Sequence, residues 1–255
     1  MSETTDGRRV ALITGAGRRR VGNVVARAFA RRGYAVAIHY RGSAAEAKET
    51  VEELRAAGCS AWPVQADVAV EADVVRMVRA VQEQFGRIDV LVTAAAIWQP
   101  TPLEELTADD LLRHLSVNTV GTFLCCLYVG RVMVQQPEGG AIITIGDWAI
   151  ERPYRNYAAY FASKGAIPTL TRMFAVEFAA RNPRVRVNCI LPGPVMLPSD
   201  LDPGERAEAI AGTLLRREGS PEHVAEAAVF LAEHGYITGV CLPVDGGRTI
   251  APFSI

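Results

Sequence analysis

One pattern runs the length of the chain and constrains the fold more than any motif. Short apolar runs rich in β-branched residues alternate with stretches whose apolar residues recur at helical spacing. "RVALITGA" (9–16) reads as a strand ending in a glycine turn, and "GNVVARAFARRG" (22–33) as the helix that follows. "YAVAIHY" (34–40) then precedes a helix over 44–57, and "SAWPVQAD" (60–67) one over 71–86. "IDVLVTAAA" (88–96) leads to a long helical stretch over 107–136, and "GAIITIG" (140–146) to a helix near 155–181. After the strand "VRVNCILPG" (185–193), residues 194–220 have mixed polarity and no strong period; they read as a mobile flap or short helices. A helix over 221–234 and the strand "GVCLPVDGG" complete the series. Strands that are apolar throughout are buried on both faces, which requires a parallel sheet covered by helices. No linker, repeat or low-complexity tract divides the chain, so the expectation is one α/β domain over 1–255, a doubly wound sheet of about seven strands.

A composition of 49% hydrophobic and 22% charged residues over 255 positions supports a single large core. The net charge of −1 gives no basic face for nucleic acid. The five cysteines form no C-x-x-C pair and read as reduced core residues of a cytoplasmic protein, with no metal implied. The start, "MSETTDGRR", lacks the apolar stretch of a signal peptide, and no unbroken run of about 18 apolar residues suggests a membrane span.

The turn "TGAGRRRVG" (14–22) joins the first strand to the first helix. Glycines there admit a ligand close to backbone N–H groups, and the helix N-terminus favours phosphate. A dinucleotide site is therefore expected, against the alternative of an ordinary strand-to-helix loop. An NAD site usually has an acid at the end of the second strand. This chain has "HYRGS" (39–43), with no acid before Glu46. Arg41 and Ser43, helped by Arg18 or Arg19, suit a 2′-phosphate, so NADPH is expected rather than NADH. A solvated basic loop is the alternative.

Lys164 is one of two lysines among 27 basic residues, and it stands four residues after Tyr160. That spacing puts both on one helix face. An ammonium beside a phenol favours the phenolate, so the Tyr160 pKa is expected to fall toward that of a working general acid. Lysine is compact and has three donors, so it can also reach ribose hydroxyls.

With these residues in place the chain resembles the short-chain dehydrogenase/reductase family. The resemblance rests on the Thr14–Gly22 turn, Asp67 after the third strand, Asn118 in "LSVNTVG", Tyr160-x-x-x-Lys164 and Pro192-Gly193, in order over nearly the whole length. It implies a Rossmann-like sheet, a nicotinamide cofactor and a homotetramer. It also implies Tyr160 as proton donor, Lys164 on the nicotinamide ribose, Asn118 holding a relay water and Asp67 at the adenine. The implied cofactor surface comprises Gly15, Arg18, Arg19, Arg20 and Val21 in the first turn; His39, Tyr40, Arg41 and Ser43; Asp67 and Val68; Ala94, Ala95 and Ala96; Tyr160 and Lys164; and Pro192, Gly193 and Val195. For His39, packing around the adenosine is the favoured role.

The sequence departs from the family pattern in several places. Asp147 stands where the family has Ser or Thr, and Thr93-Ala94-Ala95-Ala96 replaces the usual Asn-Asn-Ala-Gly. The first turn is one residue longer, and Pro168 must kink its helix or free a carbonyl. Asp147, Arg20-Val21-Gly22, "HY" at 39–40 and Trp98-Gln99-Pro100-Thr101-Pro102-Leu103 are similar to the pteridine reductases. That branch implies a pterin held between nicotinamide and Trp98, with Arg20, Ala96, Asp147, Trp148 and Tyr160 around it. Other roles fit the same residues: Trp98 as the cap of a hydrophobic lid, Asp147 as a capping carboxylate, and Trp148, Tyr154 and Tyr157 as pocket lining or as packing for 194–220. His114 and His223 read as helix or core residues. The leading expectation is an NADPH-dependent pteridine reductase; the alternatives are a carbonyl reductase of the same family and a catalytically weak NADP-binding sensor.

Overall fold

The computed structural model describes residues 7–252. Its elements follow the predicted alternation: β1 (Val10–Thr14), α1 (Val21–Arg31), β2 (Ala35–Tyr40), α2 (Ala44–Ala56), β3 (Ala61–Gln65), α3 (Glu71–Phe85) and β4 (Val90–Thr93). Next come α4 (Ala108–His114), a π-helical segment (Leu115–Val120), α5 (Gly121–Met133), β5 (Gly140–Ile145), α6 (Ala158–Ala179) and β6 (Val185–Pro192). The chain continues through α7 (Pro203–Ala211), α8 (Pro221–Glu233) and β7 (Cys241–Val244). The segment over 194–220 thus contains a short helix, one of the two readings of its sequence.

The seven strands form one parallel sheet in the order β3-β2-β1-β4-β5-β6-β7. Side chains alternate between its faces. Ala11 and Ile13 of β1 join the core beneath α1, α2 and α8, with Phe29, Val51, Leu54 and Val229. Val10 and Leu12 join the core beneath α3, α5 and α6, with Met77, Leu124, Phe174 and Phe178. Each fully buried Leu or Ile contributes about 1.5–3 kcal/mol, which is why continuous apolar strands specify this two-sided arrangement. The chain winds from β1 outward to β3, then crosses back to place β4 on the other side of β1. That reversal opens a crevice at the carboxyl ends of β1 and β4, where ligands of such sheets bind.

Two helices bear on expectations from the sequence. The continuous helical run Ala108–Met133 is long and apolar enough to cross a membrane by composition, with a mean hydropathy of 1.3. Here much of it lies inside the domain, against α3, α6, β4 and β5, so core packing accounts for its apolarity. Pro168 does not break α6, which runs uninterrupted over 22 residues. Proline has no N–H, so the Lys164 carbonyl alone loses its helical donor.

Candidate active site

The first turn is built by close approach. Gly15 has φ +67, and a Cβ there would lie 2.7 Å from the Ala95 Cα. A Cβ on Gly17 would lie 2.5 Å from Ser43 Oγ and 2.7 Å from Tyr40 Cβ. These glycines let the turn nest between the ends of β2 and β4. His39 holds the nest together: the Gly15 N–H donates to its Nδ1 at 3.0 Å, and its Nε2 donates to the Ala66 carbonyl at 3.1 Å. The ring is 2% exposed, and burial pushes its pKa down to about 4. With both nitrogens bound to main chain and no exposed face, His39 positions the turn and offers no side-chain contact to a cofactor. That revises its place among the cofactor-binding residues.

The end of β4, where Asn-Asn-Ala-Gly is missing, is anchored to β1. The Thr14 hydroxyl accepts the Ala95 N–H at 3.1 Å and ties the end of β4 to β1. Ala94 and Ala95 are half-buried beside it, and Ala96 is exposed.

The N-terminus of α1 fits a pyrophosphate. Arg20 occupies its N-cap without a side-chain cap, and no acid stands in its first turn. Side chains cap α4, α7 and α8, and each of these has an acid in the first turn, although α6 shares both features of α1. The N–H groups and dipole of α1 are thus left for an anion. Arg18 and Arg20 are exposed around this end, and Val21 opens the helix half-buried. Arg19 is turned away: its guanidinium lies 2.6 Å from Glu53 and 3.1 Å from Glu49, which removes it from the expected 2′-phosphate pair. Arg41 remains open at 64% exposure, with its nearest charge, Asp67, at 3.6 Å. Ser43 precedes α2 without capping it. Asp67 accepts the Ala69 N–H, and Val68 is buried against Gly121, so Val68 shapes the loop from within. At β6, Pro192 ends the strand. A Cβ on Gly193 would lie 2.5 Å from the Asp245 Cα, and Val195 is buried.

Tyr160 and Lys164 share the inner face of α6, 6% and 4% exposed. The Tyr160 hydroxyl donates to Asp147 Oδ2 at 2.6 Å, while Asp147 Oδ1 accepts the Ala149 N–H at 2.8 Å. Asp147 therefore both faces the tyrosine and caps the short turn Trp148–Ile150. The Lys164 ammonium donates to the Ile145 carbonyl at 2.8 Å, leaving two N–H groups for a ligand.

The electrostatics reverse one expectation. Burial, then the Asp147 charge and hydrogen bond, push the Tyr160 phenol well above its usual range. Burial also raises Asp147, against the opposing hydrogen bond from Tyr160 and the Lys164 charge. Lys164 is lowered by burial. Its Nζ is committed to Ile145, and its charge acts on Asp147. The phenol is thus a firmly protonated group whose proton points at a carboxylate, not a phenol acidified by its lysine.

Asn118 lies in the π-helical segment and is fully buried. Its Oδ1 accepts the Ile97 N–H at 2.8 Å, and its Nδ2 donates to the Ile97 carbonyl and to Ser163 Oγ. Both side-chain donors are used, so a relay water would meet Asn118 at the second lone pair of Oδ1 or at its main chain. His114 is wholly buried, donates from Nδ1 to the Asp110 carbonyl and meets the Tyr160 ring edge-on. His223 accepts the Ser220 N–H in the capping box of α8.

An aromatic wall stands beside this corner. Trp98 stacks on Tyr157 with ring centroids 4.8 Å apart and planes 16° apart, and it donates to the Tyr154 hydroxyl at 3.4 Å. One indole face is thus covered, and only the other is open to a ligand. Trp148 is 9% exposed with the Arg248 guanidinium 4.7 Å from its ring, so it backs the wall and is withdrawn from the substrate set. Sequence reasoning missed Thr14, Ser163 and Arg248. Threonine at a strand end is a faint signal for the first; nothing local marks the other two.

A sequence model of the family described as enoyl-(acyl carrier protein) reductase matches residues 15–249. A 3-oxoacyl-[acyl-carrier-protein] reductase of Synechocystis is 36% identical over 245 residues, covering 94% of this chain and 97% of that protein. A short-chain dehydrogenase/reductase of Armillaria gallica is 35% identical over 255 residues, covering 94% of this chain and 95% of that one. The crystal structure of a dehydrogenase/reductase from Sinorhizobium meliloti superposes with a TM-score of 0.86 at 31% identity, covering 97% of both chains. The crevice at the sheet reversal, the Tyr160–Lys164 helix face and these full-length likenesses converge: the chain belongs to the short-chain dehydrogenase/reductase family of oxidoreductases.

Proposed function

We propose that this protein is an NADPH-dependent reductase that converts a carbonyl to a secondary alcohol, with Tyr160 as the proton donor. The observation that carries the reading is the buried Tyr160 hydroxyl, one helical turn from an equally buried ammonium with two unused donors. The likeness to a 3-oxoacyl thioester reductase favours a carbonyl substrate. When bound, the reduced nicotinamide supplies the hydride. The uncapped start of α1 receives the pyrophosphate, Arg41 and Ser43 take the 2′-phosphate, and Lys164 orients the ribose. Tyr160 delivers the proton to the substrate oxygen as its charge develops. Residues 194–220 serve as the substrate flap of this single domain. Free thiols at all five cysteines suit a cytoplasmic setting, and the exposed Met173 and Val176 on the outer face of α6 suit a homotetramer. A sensor without turnover is disfavoured by the intact pairing of Tyr160 with Lys164.

Asp147 favours a second reading, a C=N substrate of the pterin type. An ionised carboxylate beside the proton donor opposes a developing alkoxide but stabilises a protonated imine. A substrate panel separates the two: NADPH oxidation with acetoacetyl thioesters and small ketones against dihydrobiopterin and dihydrofolate. Turnover of the carbonyl compounds alone supports the first reading, and turnover of pterins alone the second. Cofactor binding without oxidation by any of them removes both.

A further inference from the structure

None of the nine residues of α7 is buried, so apolar contact does little to hold this helix on the domain. Several bonds only shape its own segment. Asp202 caps the first turn, and Arg206 pairs with Glu218 at 2.6 Å and donates to the Pro198 carbonyl at 2.9 Å. Attachment comes at the other end, where Thr213 is buried and the Leu215 N–H donates to the Gly246 carbonyl at 3.1 Å just beyond the helix. Arg248, after β7, donates from Nη1 to the Ala209 carbonyl and, at 3.5 Å, to that of Glu208. These carbonyls lie in the last turn of α7, where the helix dipole favours a cation. The same guanidinium covers Trp148, the neighbour of Asp147. Arg152 fixes the main chain of this bridge by donating to the Arg248 carbonyl at 2.9 Å. At the first turn of α7, the Glu205 charge adds to the burial that raises Tyr157.

We infer that Arg248 is the positioning residue that seats α7 against Trp148 and so closes the substrate side of the Tyr160–Asp147 corner. The inference rests on the active-site reading above. Gly212 reports the same contact from the helix side. Its backbone, at φ −74 and ψ −3, is open to any residue. Yet a Cβ there would lie 2.1 Å from Arg248 Nη1 and 2.8 Å from its Cζ. A side chain at 212 would therefore have to push aside the end of the Arg248 side chain, while the turn itself would accept it.

The test uses Arg248→Met, Gly212→Ala and the double variant, each read by limited trypsin digestion and by steady-state kinetics on the best substrate of the panel. Arg248→Met is expected to speed cleavage after Arg206, Arg216 and Arg217 roughly tenfold. It should also raise KM roughly tenfold, with kcat changed less than about threefold, because uniform binding is lost and chemistry is not. Gly212→Ala should reproduce both effects by displacing the guanidinium, and should add nothing in the Arg248→Met background. Unchanged cleavage in Arg248→Met, additive effects in the double variant, or a collapse of Tm with cleavage throughout the chain would each overturn the inference. Faster cleavage at the three arginines, in a protein that turns over no substrate, would keep the seating role and remove the active-site reading instead.

Discussion

The Tyr160 hydroxyl and the Asp147 carboxylate face each other across 2.6 Å, and the one phenolic proton lies between them. A family serine would donate there; an ionised aspartate only accepts. Tyr160 can turn its proton outward only when Asp147 carries one of its own, so the two titrate as a pair.

The first prediction follows from that pairing. Burial raises the Asp147 pKa, so the carboxyl holds its proton to higher pH than a free aspartate. In carbonyl reduction, kcat/KM should fall as pH rises through that raised value, by roughly tenfold or more. Asp147→Ser should flatten this limb. If the substrate is a protonated imine, the same variant should instead lose activity at all pH values. Stability follows the same sign. Between the unfolded and the raised folded value the native state binds the extra proton, so stability falls as pH rises. Asp147→Asn should abolish that fall in urea titrations at several pH values.

Tyr160→Phe removes the proton donor and leaves the ring packing against Phe161 and His114. Turnover should drop by roughly 10²–10⁴-fold, with NADPH affinity nearly unchanged by fluorescence titration. The variant should lose about 1–3 kcal/mol of stability, because one buried acceptor loses its donor. Turnover equal to that of the parent protein would exclude the proposed role.

Arg41 projects into solvent at 64% exposure beside the crevice. Arg41→Ala should weaken NADPH about tenfold or more while leaving NADH within about twofold, since only the former offers a phosphate for a charge-assisted pair. Isothermal titration with both cofactors measures the ratio; equal losses would place the 2′-phosphate elsewhere.

His39 gives a prediction about acid stability. Its pKa is lowered from 6.5 to about 4 by burial, so the unfolded chain binds a proton that the native state refuses between those values. Stability from this group is complete above pH 6.5 and is lost as pH falls toward 4, by about 3 kcal/mol in all. His39→Gln can approximate both main-chain bonds without titrating. Its stability should fall less than that of the parent protein between pH 7.5 and 4.5, as read from urea midpoints; parallel losses would refute the assignment.

The amino-acid sequence by itself determined the architecture. A strand such as Val10–Thr14, apolar at its first four positions, can be stable only with helices on both sides, so the alternation already specified a covered parallel sheet. It also placed Tyr160 and Lys164 on one helix face, because that relation needs only the helical repeat. Tertiary structure decided what those groups do. Lys164 points at the Ile145 carbonyl, 19 residues away and invisible to any side-chain pattern. Tyr160 is raised and not lowered because its desolvation is the sum of neighbours from the turn Trp148–Ile150, α4 and α6 that meet only in the folded chain. Thr14 ties the end of β4 to β1, His39 is used up by the main chain, and Arg248 meets α7 from some 40 positions away. Periodicity records which face of an element is apolar. It does not record which carbonyl, charge or ring another element brings to that face, and those partners set the proton's direction at this site.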